Sequence, residues 1–198
     1  MNDKITEIVK KITALEQELR EELLKEESKG RFTIVKGKIR FDEETLRRQQ
    51  EALIGLFRYL AEAPLLYVIT APVIYSVVIP ALLLDLFVMT YQAINFRVYK
   101  IPRVRRRDYL VFDRHYLGYL NVIEKFNCMY CSYFNGLMAF VTEVAARTEL
   151  FWCPIKHAKK VAYRHRYYHQ FLDYGNQENY HQVIQKIRKE IGSKIRND

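Results

Sequence analysis

The feature that most constrains this chain is an uncharged run over residues 63–84, which is 22 residues long. As an α-helix this run would extend for about 33 Å at 1.5 Å per residue, and the hydrocarbon core of a bilayer is about 30 Å thick. Apolar side chains continue beyond Asp85 as far as Phe96. Because a run of this length is typical of a membrane segment, the sequence predicts that residues 63–96 are embedded in a membrane.

Three prolines interrupt this segment, and a proline inside a helix removes a backbone hydrogen bond and bends the axis. Two arrangements fit the pattern: a single crossing by residues 63–84, or a re-entrant hairpin with arms near residues 65–79 and 81–96. We favour the hairpin, because it keeps both ends of the chain on one side and no apolar signal segment precedes the first helix. The prolines are Pro64, Pro72 and Pro80.

Six basic residues follow the apolar segment within eleven positions, and the chain carries a formal net charge of +9. Basic residues beside a membrane segment mark its cytosolic side and attract anionic headgroups, at about 1 kcal/mol each. Tyr99 and Tyr109 flank the stretch, and aromatic rings among arginines also occur where proteins stack on nucleic-acid bases. Because the stretch adjoins the apolar segment, we expect anionic lipid rather than nucleic acid as its partner. The six residues are Arg97, Lys100, Arg103, Arg105, Arg106 and Arg107.

The rest of the chain has the pattern of a mainly α protein with one stretch of strand character. Residues 1–62 are expected to form an N-terminal helix, a small β clip near residues 31–41, where polar and apolar side chains alternate, and a second helix. The second helix is capped by Asp42 and runs towards Pro64. Residues 97–198 are expected to form the basic juxtamembrane stretch and a helical cytosolic domain. The cysteines number only three, which indicates reduced thiols in the cytosol rather than a disulfide framework.

The N-terminal helix, residues 4–28, has one apolar stripe and polar side chains on its other faces. The apolar residues recur at spacings of three and four, which places them along one side of a helix. The stripe packs either against its own domain or in a short coiled coil with a partner protein or a second copy of the chain. Its members are Ile5, Ile8, Val9, Ile12, Leu15, Leu19 and Leu23.

All three cysteines and one histidine form two close pairs in the C-terminal part of the chain. Cys128 and Cys131 have the spacing C-x2-C, and Cys153 and His157 have the spacing C-x3-H, with 21 residues between the pairs. This arrangement is typical of a Cys3His site for Zn²⁺, in which four ligands fill a tetrahedral shell. An unbroken helix would separate the pairs by about 37 Å, so the site requires the chain to reverse near residues 135–136.

Carboxylates and histidines of the same region form a competing candidate site, for iron or a di-iron centre. If the helix is unbroken and a second helix folds back along it, these side chains face one another, as they do in the iron sites of helix bundles. The usual Glu-x-x-His pair does not occur within residues 116–169, which favours the zinc interpretation. The residues are Glu124, Glu143, Glu149, His165 and His169.

These patterns indicate a membrane-associated metal-binding protein on the cytosolic side, with a metal-dependent or redox reaction on a lipid-soluble substrate as its expected activity. The alternative is a non-catalytic, membrane-anchored subunit or scaffold that docks a partner through helix 4–28. The two hypotheses differ in a structural feature. An enzyme needs an open coordination position beside a cavity at the bilayer interface, whereas a scaffold needs an exposed apolar stripe on helix 4–28.

Overall fold

The computed structural model of the protein describes residues 3–28, 32–35 and 38–196. The described chain is mainly helical and contains one two-stranded antiparallel sheet, so the predicted mainly α class and the β clip are confirmed. The chain divides into two compact units. The first comprises Met1–Tyr59 and Asp113–Lys125, and the second comprises Leu60–Phe112 and Phe126–Asp198.

The first unit begins with a long helix, a β hairpin and a short helix. These are α1 (Asp3–Ser28), β1 (Phe32–Val35), β2 (Lys38–Phe41) and α2 (Glu43–Glu51). Phe32 pairs in register with Phe41, and their rings meet at a centroid distance of 6.3 Å. Asp42 caps α2 as predicted, because its carboxylate accepts a hydrogen bond of 2.7 Å from the amide of Thr45. The turn between the strands lies outside the described residues.

The second helix of the sequence analysis is shorter than predicted, since α2 ends at Glu51 instead of running towards Pro64. A short segment that contains Gly55 follows, and a new helix, α3, then covers Leu56–Glu62. A helix-interior glycine costs about 1 kcal/mol relative to alanine, which is consistent with a break at this point.

The apolar segment forms α4 (Leu65–Ser76) and α5 (Val78–Val98), which continue one another as a single rod of 34 residues. Val77 between them has helical torsion angles, φ −65° and ψ −16°, and its carbonyl accepts a bond of 3.2 Å from the amide of Ala81. The rod is long and apolar enough to cross a membrane by length and composition.

The re-entrant hairpin is therefore not formed. Pro80 was the predicted break, but it is the third residue of α5 and the chain stays helical through it. Pro72 lies inside α4 without ending it. The helix passes both positions, because a proline fixes φ near the helical value and removes only one bond.

Two further helices complete the second unit: α6 (Val122–Trp152), which begins in the first unit, and α7 (Tyr180–Arg196). The core of this unit is built on the fully buried side chains of Phe96, Leu137, Phe140 and Leu150. The C-terminal helix packs its apolar side against this core. Its buried residues are Ile184, Ile187, Ile191 and Ile195.

Candidate functional site

The four residues of the predicted zinc site do not come together. Cys128 and Cys131 lie on the same helix, α6, which runs without a break to Trp152, one residue before Cys153. At 1.5 Å per residue the helix separates Cys128 from Cys153 by about 37 Å, whereas each Zn–S bond is about 2.3 Å long. Within the described part of the chain, no three His, Cys, Asp or Glu side chains are placed to hold one metal ion.

The glycine that suggested a break in α6 has a packing role instead. Gly136 is buried in the helix, and a Cβ built on it would lie 2.6 Å from the carbonyl oxygen of Tyr109 and 3.1 Å from Cα of Leu110. Only glycine lets these two backbones approach so closely. The helix therefore keeps its hydrogen bonds through residue 136, and the chain reversal that the Cys3His site requires is not made.

The carboxylates of the competing iron site are engaged by other partners. Glu143 is 7% exposed, and its Oε1 accepts hydrogen bonds from Arg147 Nε at 2.8 Å and from the Tyr167 hydroxyl at 2.7 Å. Arg166 Nε lies 3.6 Å from the other oxygen. Burial, with the hydrogen bond to Glu143 as a second cause, raises the pKa of the Tyr167 phenol far above its ordinary value. This cluster is a buried ion pair that joins α6 to the following loop.

Of the remaining iron-site candidates, one pair is formed. His165 Nε2 lies 3.0 Å from Glu149 Oε2, so these two members of the candidate set are brought together. Glu124 instead exchanges hydrogen bonds with Asn121, 2.9 Å and 3.0 Å long, in a capping box at the start of α6. His169 lies in a short 3-10 turn, Tyr168–Gln170. The five residues do not form one centre.

The apolar rod contains a polar cluster that the sequence analysis did not find. Asp85 is buried, and its two oxygens accept hydrogen bonds from Arg106 Nη2 at 2.6 Å and Nε at 3.1 Å. The Tyr133 hydroxyl donates a third bond of 3.1 Å. One of the six basic residues predicted to face the membrane surface, Arg106, is thus paired with Asp85 of the rod and half-buried. The other five are exposed.

A second polar contact fixes the loop after α5 against the rod. Gln92 is 1% exposed, and its amide oxygen accepts a hydrogen bond of 2.7 Å from the backbone of Val104. The loop therefore runs back along α5, with residue 104 at the level of Gln92 and Arg106 at the level of Asp85. The only local signal for this fold-back was the presence of two polar residues within an otherwise apolar helix.

A pocket of about 440 Å³ lies between α5 and α6. Its lining is mostly apolar and includes Val88, Val144 and Trp152, while Tyr91 and Thr148 share a hydrogen bond of 3.1 Å at its edge. Glu149 and Cys153 also line it. Cys153 is exposed, but partial burial of its thiol, with the nearby Glu149 as a smaller cause, raises its pKa.

Helix α1 exposes the apolar stripe along most of its length. Five members of the stripe are between 48% and 63% exposed, although large aliphatic side chains in a row usually pack against something. Within the described residues α1 therefore presents the feature that the scaffold hypothesis requires. The five are Ile8, Ile12, Leu15, Leu19 and Leu23.

Comparison with known proteins assigns no class to this fold and these sites. No protein-family model, no curated protein and no solved structure matches the chain. The function proposed below is therefore argued from the residues and contacts of this chain alone.

Proposed function

We propose that this protein is a membrane-anchored scaffold that assembles through α1, with a second copy of the same chain as the partner. The exposed apolar stripe of α1 is the observation that carries the proposal, because it is a helical surface of coiled-coil type with nothing packed on it within the described residues. The exposed apolar faces of α4 and α5 supply the anchor.

The spacing of the stripe fits a two-stranded coiled coil. Ile5, Ile8, Ile12, Leu15 and Leu19 are separated by three, four, three and four residues, which are the alternating a and d positions of a heptad repeat. This seam covers about two and a half heptads. A coiled coil of this length is marginal for two free helices in solution, so its formation depends on a high local concentration of the chains.

Charge favours a parallel pair of identical chains. With Ile12 at an a position, Lys11 falls at g and Glu16 at the following e position. In a parallel dimer the g residue of one chain lies beside that e residue of the other, so Lys11 meets Glu16 twice. Lys11 contacts Glu7 of its own helix at 2.7 Å, but both side chains are well exposed and such a pair contributes little.

The membrane anchor makes the short coiled coil effective. Two chains held on one bilayer meet at a local concentration far above that in solution, which raises apparent affinity without new contacts. The anchor combines the exposed apolar side chains of α4 and α5 with the exposed basic residues that follow them, which attract anionic lipid. We assign this surface to the cytosolic side of a membrane, where anionic headgroups and reduced thiols are found.

The pairing is tested with single cysteines placed on α1 in a chain whose three native cysteines are replaced by serine. Ile12→Cys lies on the seam, and Gln17→Cys lies on the opposite, f, position as the matched control. On vesicles of phosphatidylcholine and phosphatidylserine, mild oxidation should link the Ile12→Cys chains into disulfide dimers and leave the Gln17→Cys chains monomeric.

Reversing the charges at positions 11 and 16 distinguishes specific pairing from cross-linking that is caused only by crowding of chains on the vesicle. Lys11→Glu should slow cross-linking at Ile12→Cys, because position 11 of one chain and position 16 of the other then both carry a negative charge. Adding Glu16→Lys should restore the cross-linking. Equal cross-linking at positions 12 and 17, or no effect of either charge change, would contradict a parallel pair of copies. If α1 instead binds a partner of another kind through its apolar seam, Leu15→Asp should release that partner.

The pocket between α5 and α6 supports a second candidate, the binding of a lipid-soluble ligand. Its apolar wall can hold a hydrocarbon body, and the Tyr91–Thr148 and Glu149–His165 pairs can hydrogen-bond a polar head. The assay is photo-cross-linking of a diazirine-tagged alcohol or fatty acid in vesicles. Labelling should concentrate on the pocket residues and decrease in Val144→Trp, which fills the cavity. Equal labelling of the natural chain and of Val144→Trp would refute the ligand site.

A further inference from the structure

We infer that the rod formed by α4 and α5 lies in the plane of the membrane, immersed in the acyl chains of one leaflet, and does not cross the bilayer. This inference rests on the membrane association proposed above and adds its geometry. The occupant of the exposed apolar surface is thus lipid, which surrounds α4 and covers one face of α5.

The side chains of α5 divide into two opposite faces. Buried residues occur at spacings of four, seven and four, at Ala81, Asp85, Gln92 and Phe96. At about 100° per residue these cluster on one side of the helix, and the exposed apolar residues point the other way. These are Ile79, Leu83, Leu86, Phe87, Ile94 and Val98, while Leu82 and Leu84 are exposed at the borders between the two faces.

The buried face of α5 is covered by charged and polar chain, whereas α4 has no buried residue. Arg106 binds Asp85, and the backbone of Val104 binds Gln92, so the basic loop returns about 20 Å along α5 from Val98. Helix α6 flanks the same face further towards the start of the rod. There the Tyr130 hydroxyl donates a bond of 2.6 Å to the carbonyl of Ile74.

Neither placement of a bilayer crossing suits this arrangement. If the hydrocarbon core were centred on the rod, the loop with Arg105, Arg106 and Arg107 would lie inside it, where charged side chains are costly. If the core ended at Asp85, the exposed side chains of Phe87 and Ile94 on the same apolar face would be left in water. The exposed apolar side chains therefore continue beyond the point at which the hydrocarbon core would have to end.

The length of the rod gives an independent argument. Thirty-four helical residues extend for about 51 Å, which exceeds a hydrocarbon core of about 30 Å. To fit, the rod would have to tilt by about 54° from the bilayer normal, beyond the range of 0–40° found for transmembrane helices. A rod parallel to the surface has no such mismatch.

An in-plane rod satisfies both faces of α5 together, and acyl chains surround α4, which has no buried residue. The exposed aliphatic side chains enter the leaflet, and the loop and α6 stay on the aqueous side. Arg97 lies five helical turns after Ile79 on the exposed face, near the end of the rod, where a long side chain reaches back to a headgroup. Lys100 follows in the loop and is also exposed, so anionic lipid is favoured at this end.

The test measures depth at three positions on the exposed face. Nitroxide labels are attached to Ile79→Cys, Leu86→Cys and Ile94→Cys in the cysteine-free chain, and their depths are read by power-saturation electron paramagnetic resonance in phosphatidylcholine and phosphatidylserine vesicles. Tyr174→Cys, which is exposed in the same unit, is the aqueous control. An in-plane rod predicts three nearly equal depths, all within about 5–10 Å of the headgroup boundary.

A crossing predicts a different pattern. Because Leu86 is about 10 Å along the axis from Ile79 and about 12 Å from Ile94, at least one of the three depths must then differ by about 10 Å. That result overturns the in-plane rod while membrane association stands. If all three labels are as water-accessible as the label at position 174, both the in-plane rod and the anchor of the proposed function are refuted.

Discussion

The buried ion pair of Glu143 allows a stability prediction worked from its contacts. Glu143→Ala removes the carboxylate that binds Arg147 and Tyr167, and the Arg147 side chain, 13% exposed, keeps only the carbonyl of Pro102 at 2.8 Å. A buried charge left without its partner costs about 3–5 kcal/mol. Because about 1 kcal/mol shifts the Tm of a chain of this size by roughly 2–4 °C, the Tm should fall by roughly 6–20 °C.

The assay is thermal unfolding in a mild detergent, followed by far-ultraviolet circular dichroism. Glu143→Gln keeps one acceptor oxygen and the shape of the side chain, so its loss should be smaller than that of Glu143→Ala. The matched control is Asp173→Ala in the same unit, which removes an exposed partner of Lys156 at 2.7 Å and should leave the Tm almost unchanged. Equal shifts for Glu143→Ala and Asp173→Ala would refute the buried-pair reasoning.

Three further predictions follow from the second unit. Gly136→Ala should destabilise the protein by about 1–3 kcal/mol or more in chemical denaturation, because its Cβ meets backbone at 2.6 Å, and a neutral effect would contradict this packing. Cys153 should be alkylated more slowly in the folded protein than in denaturant at mildly alkaline pH, because burial raises its pKa and lowers the thiolate fraction; equal rates would oppose this. Cys128→Ser should leave the metal content of the purified protein unchanged, and a loss of zinc would show that α6 is broken in solution.

The sequence was informative wherever the signal is local. The three-and-four spacing of α1, the Asp42 cap and the alternation around the β clip depend on neighbouring residues, and each of these elements is formed. The uncharged run likewise forms a long apolar helix. Periodicity and capping act within a few residues, so a single chain is enough to find them.

The sequence was misleading wherever one residue type serves two purposes. Pro80 can end a helix or lie within one, and the chain stays helical through it. Gly136 signals either a break or a close approach, and the backbone of Tyr109, distant in sequence, decides between them. Spacing of cysteines alone does not tell a zinc site from thiols on one helix face.

The long-range ion pairs were not predictable from local patterns. Asp85 is the first charge after the uncharged run, but its partner Arg106 lies 21 residues further on, in a stretch assigned to lipid. The same holds for Gln92 and Val104. These contacts depend on a loop that reverses along α5, and nothing in a periodic pattern states that a loop will do so.

We expect the exposed apolar face of the α4–α5 rod to hold the protein on a membrane. The measurement is flotation with vesicles after alkaline carbonate extraction, for the natural chain and for Leu83→Lys, Phe87→Lys and Ile94→Lys combined. Each of these side chains contributes about 1.5–3 kcal/mol when buried in lipid, so the triple change removes roughly 5–9 kcal/mol.

A matched control, Tyr163→Lys with Tyr174→Lys, changes exposed rings outside the rod. The natural chain and the control should float with the vesicles after extraction. The triple variant, with an unchanged circular dichroism spectrum, should stay in the soluble fraction. If carbonate strips the natural chain, or if the triple variant floats as well as the control, the rod is not the anchor.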